Sequence, residues 1–245
     1  MIKLVVSDFD GTLKPFERES LSPSVLTRID ALLERGVAFA VSSGRTYREL
    51  ASYLPQFVDR IYLICNDGAC YLRGDRLLYE KAIERADLIP LFRTGEGVGR
   101  IFHAARENYC TGTLPTELQR AFSPIPVKSV YELHERIFKV TSVGEREPFA
   151  ASHGLRTHWD GGEAVLAQAV NRFANKGTAL SDLQMRLMLS KFDTVCIGDA
   201  GNDLAMMQGA RVSFCVGERS EALADAVTHR VGRVEEALDF CLNFL

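Results

Sequence analysis

The chain has 245 residues, with 29 Lys and Arg against 32 Asp and Glu, a formal net charge of −3, and 47% hydrophobic residues. This composition is ordinary for a globular protein and excludes a disordered, collagen-like or coiled-coil chain. The length allows one large domain or two modest ones. Nucleic-acid-binding domains usually carry a strongly basic surface, so the scattered Lys and Arg predict small ligands and no nucleic acid.

The cysteine pattern and the N-terminus predict a cytoplasmic protein. The six cysteines include no C-x-x-C pair, and most lie in apolar runs such as Val195-Cys196-Ile197, which is typical of buried thiols in a reducing compartment. The apolar start at residues 1–6 is too short for a signal peptide. No run approaches the roughly 18 apolar residues that cross a bilayer, so we expect no membrane contact.

The first 82 residues alternate between short apolar runs and helical patterns. The apolar runs are nearly continuous, which predicts strands buried on both faces of a parallel sheet. Val25, Ile29 and Leu32 recur at helical spacing. In chain order we predict a strand at 2–6, a helix that begins after Ser22 or Ser24 and ends at Gly36, a strand at 37–41, a helix at 47–54 and a strand at 60–65.

The same alternation returns after residue 170, and a different pattern separates the two halves. Strands that alternate with helices predict a doubly wound parallel α/β sheet, here built from residues 1–82 and 171–245. Residues 83–170 contain hairpin-like strands around Gly161-Gly162, which predict an inserted α+β domain. The later predictions are strands at 136–142, 157–160, 164–168, 194–197 and 211–216, and helices at 130–134, 176–189, 203–208, 222–226 and from 234 onward.

Four segments place polar residues at strand ends or helix starts of this sheet domain, the edge at which α/β proteins bind ligands. The first, Asp8-Phe9-Asp10-Gly11, has two carboxylates at i and i+2 directly after a buried strand. One could act as a nucleophile and the other as a general acid and base, and both can approach a divalent cation. The same residues also fit a simple acidic loop.

Each of the other three segments also has two interpretations. Ser42-Ser43-Gly44-Arg45 offers a hydroxyl and free N–H groups at a helix start, which suits an anion or an ordinary helix cap. Asn175-Lys176-Gly177-Thr178 puts a lysine where the helix dipole disfavours a cation unless an anion is near; the alternative is a surface lysine. The segment 198–203 contains Asp199, Asn202 and Asp203, which suit a hard metal ion or a turn with a helix cap.

In order and placement, these segments resemble the four motifs of the haloacid dehalogenase (HAD) superfamily, and specifically its Cof-type phosphatases with a type IIB cap. The separations are similar: 35 residues from Asp8 to Ser43, 133 from there to Lys176 and 23 from there to Asp199. The resemblance implies a Rossmann-like core with a cap domain inserted in the long second gap. Asn66-Asp67-Gly68-Ala69 also looks like the family's Asn-Gly-Ala turn with one residue inserted.

The resemblance implies a Mg²⁺-dependent phosphomonoesterase that acts on a small phosphorylated metabolite through an aspartyl phosphate. Asp8 would be the nucleophile, and Asp10 would protonate the leaving oxygen and then deprotonate water. Ser43 is preferred to Ser42 as the hydroxyl that faces the phosphate. In the same way, Mg²⁺ would be held by Asp8, the Asp10 carbonyl, Asp199 and, directly or through water, Asp203, and phosphate or substrate by Ser43, Gly44, Arg45, Asn66, Lys176 and Asn202.

Two other functions remain open from the sequence. A phosphomutase or phosphotransferase on the same core would retain the phosphoryl group, and a phospho-accepting switch would keep its acyl phosphate. Asp10 argues against the switch, because an acid and base beside the nucleophile promotes turnover. Since selectivity would lie largely in the cap, sugar phosphates, phosphoglycolate, nucleotides and pyridoxal phosphate all remain candidate substrates. The oligomeric state is not predicted.

Overall fold

A computed structural model describes residues 1–92, 98–144, 154–160 and 166–244 as two sheets with helices packed around them. The predicted hairpin glycines Gly161 and Gly162 lie outside the described residues. The strands are β1 (Leu4–Asp8), β2 (Ala38–Ser42), β3 (Tyr62–Cys65), β4 (Cys70–Arg73), β5 (Arg76–Glu80), β6 (Gly99–His103), β7 (Asn108–Thr111), β8 (Ile125–Pro126), β9 (Lys139–Val143), β10 (Leu155–Asp160), β11 (Leu166–Asn171), β12 (Thr194–Gly198), β13 (Val212–Val216) and β14 (His229–Val231). The helices are α1 (Pro23–Glu34), α2 (Tyr47–Tyr53), α3 (Arg85–Leu88), α4 (Thr116–Phe122), α5 (Lys176–Arg186), α6 (Leu204–Met207), α7 (Glu221–Ala226) and α8 (Val234–Asn243).

The larger sheet has the order β14-β13-β12-β1-β2-β3-β4-β5 and confirms the predicted α/β architecture. The strands from β14 to β3 are parallel. Leu4 and Val6 of β1 pack in a cluster with α5 and α6, whereas Val5 faces the opposite cluster with α1 and α8. Because successive side chains of a strand point to opposite faces, a sheet covered by helices on both faces requires the continuous apolar run seen in β1.

Capping residues determine where helix α1 begins and ends. The Ser22 hydroxyl accepts a hydrogen bond from the Val25 backbone N–H at 3.2 Å, so Ser22, rather than Ser24, is the N-cap. Gly36 follows the helix with φ of +79°, the left-handed conformation that glycine adopts without strain. On the outer side, Arg28 forms two 2.8 Å hydrogen bonds with Asp239 of α8.

The parallel pairing brings the predicted polar segments to one edge of the larger sheet. Asp8 at the end of β1 lies opposite Ser42 at the end of β2, and β12 ends at Gly198 on the other side of β1. Strand β3 leads into a tight turn at Asn66–Gly68. The C-terminal ends of β1, β2, β3 and β12 therefore lie along one edge of the sheet.

The larger sheet also contains strands that the sequence did not predict. Strands β4 and β5 form an antiparallel hairpin at one edge, and β14 extends the other edge. The hairpin is half-buried and contains no β-branched residue, so its strand pattern is weak. The sheet is therefore parallel through its centre and antiparallel at the edge that carries β4 and β5.

The smaller sheet, with the order β10-β11-β9-β6-β7-β8, occupies the part of the chain predicted as the α+β insertion. Its core includes Phe102, Val140 and Ala169. Strands β6 and β7 were not predicted, and the helix expected at 130–134 is a 3₁₀ turn at Val130–Glu132. Within the described residues, no helix is long and apolar enough to span a membrane.

Gly68 fixes the distance between the turn after β3 and the start of α5. Its φ is +85°, and a Cβ added there would lie 2.2 Å from the Asn175 carbonyl oxygen. Such an approach is far closer than van der Waals contact, and the blocking atom belongs to the backbone. Only glycine therefore lets the turn pack against the residue that caps α5.

We expect Gly68→Ala to destabilise the protein more than Gly36→Ala, a matched control. Both glycines have positive φ, for which a side chain costs about 1–2 kcal/mol. An added Cβ at Gly36 meets no atom within 4 Å, whereas Gly68 carries an additional overpacking cost of about 1–3 kcal/mol. Urea unfolding of both variants measures the difference. Equal losses would contradict the close packing at Gly68.

Candidate active site

A cavity of about 630 Å³ lies between the C-terminal edge of the larger sheet and the smaller sheet. This volume is in the range of small-molecule sites. Asp203 lies directly behind its wall, in contact with Lys176. The predicted residues that line it are Asp8, Asp10, Ser43, Gly44, Arg45, Lys176, Asp199 and Asn202.

A buried lysine lies between two buried carboxylates at the floor of this cavity. Lys176 Nζ donates hydrogen bonds to Asp8 Oδ1 and, at 2.6 Å, to Asp203 Oδ1. Asp8 is 6% exposed, Lys176 2% and Asp203 0%. The interpretation of Lys176 as a surface lysine is therefore wrong. Because buried charges are tolerated only when they are paired, these three side chains depend on one another.

The balance of charge at this floor favours a further cation. Burial raises the pKa of the Asp8 carboxyl well above its ordinary value, and the Lys176 charge only partly offsets this effect. Burial also opposes the Lys176 charge, but Asp8 and Asp203 outweigh it and raise the pKa of the lysine. Burial and the nearby Asp203 raise the pKa of Asp199 as well. Asp8 and Asp203 thus share one buried lysine, and Asp199 pairs with the more exposed Arg219.

Local backbone structure holds these residues in place. Lys176 is the first residue of α5, and the Asn175 side chain caps the helix by accepting a hydrogen bond from the Thr178 N–H at 2.9 Å. A cation at a helix start opposes the helix dipole, and here the carboxylates supply the compensating charge. Asp203 Oδ2 accepts hydrogen bonds from the backbone N–H groups of Asp199 and Ala200, both at 3.1 Å.

Asp8, Asp199 and Asp203 form a group that fits a divalent metal ion. One carboxylate oxygen from each lies within 4.8 Å of the other two, and all three residues are buried. Hard oxygen ligands of this kind suit Mg²⁺. Asp199 is further oriented by the Thr12 hydroxyl and by Arg219, each 3.2 Å from one of its oxygens. No sequence motif marked Thr12 or Arg219 as contacts of this group.

Asp10 lies beside this group and forms a forked ion pair with Arg45. The guanidinium donates from Nε to Asp10 Oδ2 at 2.7 Å and from Nη2 to Oδ1 at 2.8 Å. It also lies over the rings of Phe9 and Tyr53, 5.6 and 5.2 Å from their centroids. Two parallel hydrogen bonds fix the plane of a carboxylate. Arg45, expected to bind phosphate or substrate, is here engaged in orienting Asp10.

The two serines of the second segment have different surroundings. Ser43 lines the cavity, and its hydroxyl accepts a hydrogen bond from the Arg45 N–H at 3.1 Å. Ser42 is fully buried, and its hydroxyl has no hydrogen-bond partner among the described residues. The structure therefore favours Ser43 as the hydroxyl that meets a ligand.

The turn after β3 presents a different residue from the one expected. Asn66 is fully buried, does not line the cavity, and directs its amide nitrogen toward Cys70 Sγ at 3.7 Å. Asp67 lines the cavity instead, with φ of +58° and one buried carboxylate oxygen without a partner among the described residues. The residue directly before Gly68 thus takes the position that the resemblance suggested for Asn66. In the sequence, the position of Asp67 directly before Gly68 could have indicated that Asp67 faces the cavity.

The smaller sheet supplies the opposite wall of the cavity. His103 has both ring nitrogens 2.9 Å from partners, Asn108 Oδ1 and Thr141 Oγ1. Burial and the Lys139 charge lower the pKa of His103 to about 3, so the imidazole is neutral at physiological pH. No sequence motif marked this wall, because strand pairing decides which residues face the cavity. Its described members are His103, Leu118, Phe122, Lys139, Thr141, Arg156, Leu166 and Gln168.

Comparison with named proteins identifies relatives over most of the chain. The family model described as haloacid dehalogenase-like hydrolase matches residues 5–237. The 5-amino-6-(5-phospho-D-ribitylamino)uracil phosphatase of Escherichia coli is 19% identical, and the match covers 94% of this chain and 91% of the relative. The phosphoglycolate phosphatase of Methanoculleus marisnigri is 22% identical, with 88% and 84% covered.

Solved structures share the fold at similarly low sequence identity. A crystal structure from Eubacterium rectale has a TM-score of 0.86 and 22% identity, covering 100% of this chain and 99% of that one. A sugar phosphatase of HAD subclass IIB has a TM-score of 0.78 and 20% identity, covering 99% and 98%. By this likeness the part with the larger sheet is the Rossmann-like core, and the part with the smaller sheet is the cap. The chain therefore belongs to the haloacid dehalogenase-like hydrolases, and it is a phosphatase of their Cof-type group.

Proposed function

We propose that the protein is a Mg²⁺-dependent phosphomonoesterase that acts on a small phosphorylated metabolite through a phosphorylated Asp8. The observation that carries this proposal is the position of Asp8, at the end of β1 and buried beside Lys176, Asp199 and Asp203. Asp10 follows two residues later and lines the same cavity. A nucleophile, an acid and base, and a metal-binding group thus meet at one strand end.

In the first half of the proposed reaction, an Asp8 carboxylate oxygen attacks the phosphorus atom of the substrate. A bond forms between that oxygen and phosphorus while the bond from phosphorus to the leaving oxygen breaks. Lys176 and Ser43, with Gly44 and Asn202 beside them, are assigned to the phosphoryl oxygens. Phosphoryl transfer depends mainly on positioning and on neutralising charge, and these residues supply both.

Asp10 would act as the general acid in the first half of the reaction and as the general base in the second. It would donate a proton to the leaving oxygen and then accept one from the water that attacks phosphorus, which releases phosphate and restores Asp8. Each oxygen of the Asp10 carboxylate has two lone pairs. One lone pair on each oxygen accepts a hydrogen bond from Arg45, so the second stays available for proton transfer. Arg45 is thus a positioning residue that acts through Asp10.

The acidic group at the cavity floor would hold Mg²⁺. We assign Asp8, the Asp10 carbonyl and Asp199 as ligands. Asp203 completes this group, and we assign it as a ligand directly or through water. Bound there, the ion would neutralise charge on the carboxylates and on the phosphoryl oxygens.

The alternatives differ in the fate of the phosphoryl group. A phosphomutase would return it to the substrate and release little inorganic phosphate, and a switch would keep it on Asp8. The fixed position of Asp10 beside Asp8 supports rapid hydrolysis over storage. Release of inorganic phosphate from a panel of phosphorylated metabolites therefore tests the proposed function.

We expect Asp8→Asn to lower Mg²⁺-dependent hydrolysis of p-nitrophenyl phosphate by at least roughly 10³-fold, because an amide is a poor nucleophile. Asp225→Asn, at an exposed position outside the cavity, is the matched control and should retain activity. Excess chelator should likewise stop the wild-type reaction. Undiminished activity of Asp8→Asn, or with chelator, would contradict the mechanism.

We expect Asp10→Asn to lower turnover on the order of 10² to 10⁴-fold, the range for a positioned acid and base. Mg²⁺ binding, measured by calorimetry, should be largely retained, because the proposed ligand from Asp10 is its backbone carbonyl. Asp30→Asn on the exposed side of α1 serves as the control. Loss of metal binding together with activity would show that the Asp10 side chain is itself a metal ligand.

We place the cap boundaries at residues 83 and 170 and assign substrate selection to this segment. Replacing residues 83–170 by a short Gly/Ser linker should leave slow, Mg²⁺-dependent hydrolysis of p-nitrophenyl phosphate, whose good leaving group needs little help. Selectivity among metabolites should be lost, because the wall that faces the leaving group is removed. Circular dichroism must first show a folded core. A folded core that keeps the parent ranking of metabolites would overturn this assignment.

A further inference from the structure

The two walls of the active-site cavity differ in charge. All five carboxylates among its described lining residues come from the core, and these are Asp8, Asp10, Glu49, Asp67 and Asp199. The described part of the cap wall contributes two cations, Lys139 and Arg156, and no carboxylate. The described cap wall therefore presents positive charge without an acid, opposite a core wall that carries both acids and the cations Arg45, Lys176 and Arg219.

Of these two cations, Lys139 says more about the ligand that the cavity would take. It is the first residue of β9, held between His103 of β6 and Val170 of β11, and only 6% exposed. Its ammonium donates one hydrogen bond, to the Gly44 carbonyl oxygen. Among the described residues it has no ion-pair partner. An ammonium carries three donors, and a lysine buried to this degree is almost always paired with an acid.

The neighbours of Lys139 do not supply the missing charge. His103 is neutral, and both of its ring nitrogens are already hydrogen-bonded. Asp67, on the other side of Gly44, forms no ion pair with Lys139 within the described structure. A buried cation with free donors that faces a ligand cavity is best satisfied by an anionic group of the ligand.

We propose that the leaving group of the substrate carries a second anionic group, a carboxylate or a phosphate, and that Lys139 binds it. This inference rests on the proposed phosphatase function. Gly44 directly follows Ser43, which is assigned to the transferred phosphate, so the second anion lies within a few bonds of the ester oxygen. The substrate class is therefore short, doubly anionic phosphomonoesters.

Three compounds on one carbon skeleton test this assignment. Glycerol 3-phosphate has no second anion, 3-phosphoglycerate has a carboxylate in place of its terminal CH₂OH, and glycerol 1,3-bisphosphate has a second phosphate. Each compound is tested as a competitive inhibitor of p-nitrophenyl phosphate hydrolysis. This assay reports binding whether or not the compound is itself hydrolysed. At least one anionic compound should compete on the order of 10- to 100-fold better than glycerol 3-phosphate, as expected for a charge-assisted hydrogen bond. Which one does so distinguishes carboxylate from phosphate.

Variants of Lys139 separate substrate binding from contact between cap and core. Lys139→Met should remove the preference for the anionic compound and leave competition by glycerol 3-phosphate within a few-fold of wild type. Lys139→Arg, which keeps the charge, should restore part of the preference. Lys128→Met makes the same change at an exposed cap lysine outside the cavity and should change nothing.

Three results would overturn the inference, and a fourth would contradict the proposed function. Equal competition by all three compounds in the wild type would overturn the inference, as would a preference that survives in Lys139→Met. An equal loss for all compounds and for p-nitrophenyl phosphate would also overturn it, because Lys139 would then serve the transferred phosphate or cap closure. Absence of Mg²⁺-dependent hydrolysis of p-nitrophenyl phosphate by the wild type would instead contradict the proposed function.

Discussion

The structure of the active site depends on one buried ammonium group, that of Lys176, placed between the carboxylates of Asp8 and Asp203. These side chains come from a central strand, a helix start and the loop after another strand, so their pairing ties together three distant parts of the chain. A buried carboxylate without such a partner would favour its neutral form, which is a poor nucleophile. Lys176 thus favours the charged form of Asp8, although burial still holds the pKa of that carboxyl above its ordinary value.

The backbone around this ion pair is arranged so that it cannot easily move. Asn175 caps the helix that carries Lys176, and Gly68 lets the turn after β3 pack against that cap. Two backbone N–H groups hold Asp203. The remaining excess of acid provides a place for a cation, because Lys176 and Arg219 together do not neutralise the three carboxylates. The charged side chains that hold the cavity floor together therefore also create the place for a cation.

The walls above the floor have separate roles. On the core side, Arg45 holds Asp10, the proposed acid and base, in a forked ion pair that fixes the plane of its carboxylate. On the cap side, strand pairing presents Lys139 and Thr141 to the same cavity, beside a neutral His103. In the proposed function, the chemistry therefore belongs to the end of the parallel sheet, and selection of the leaving group to a wall with different charge. This separation explains why the core motifs alone leave the substrate open.

Much of this protein could be predicted from its sequence, because parallel strands buried on both faces need continuous apolar runs and their ends carry the ligand-binding residues. That rule is enough to locate Asp8, Asp10, Ser43 and Asp199 at one edge of the sheet, whereas Lys176 was assigned there from its place in the four motifs. Tertiary contacts decide what the rule leaves open: Asp67, not Asn66, faces the cavity, and Arg45, which lines the cavity as predicted, also pairs with Asp10. The edge hairpin β4–β5 and the cap strand β6 were missed because short strands with few β-branched residues have weak patterns. The sequence by itself determined the core architecture and its polar edge, through local periodicity and spacing. Only the tertiary structure decided which side chains share a wall, because strand register and the pairing of buried charges act between residues far apart in the chain.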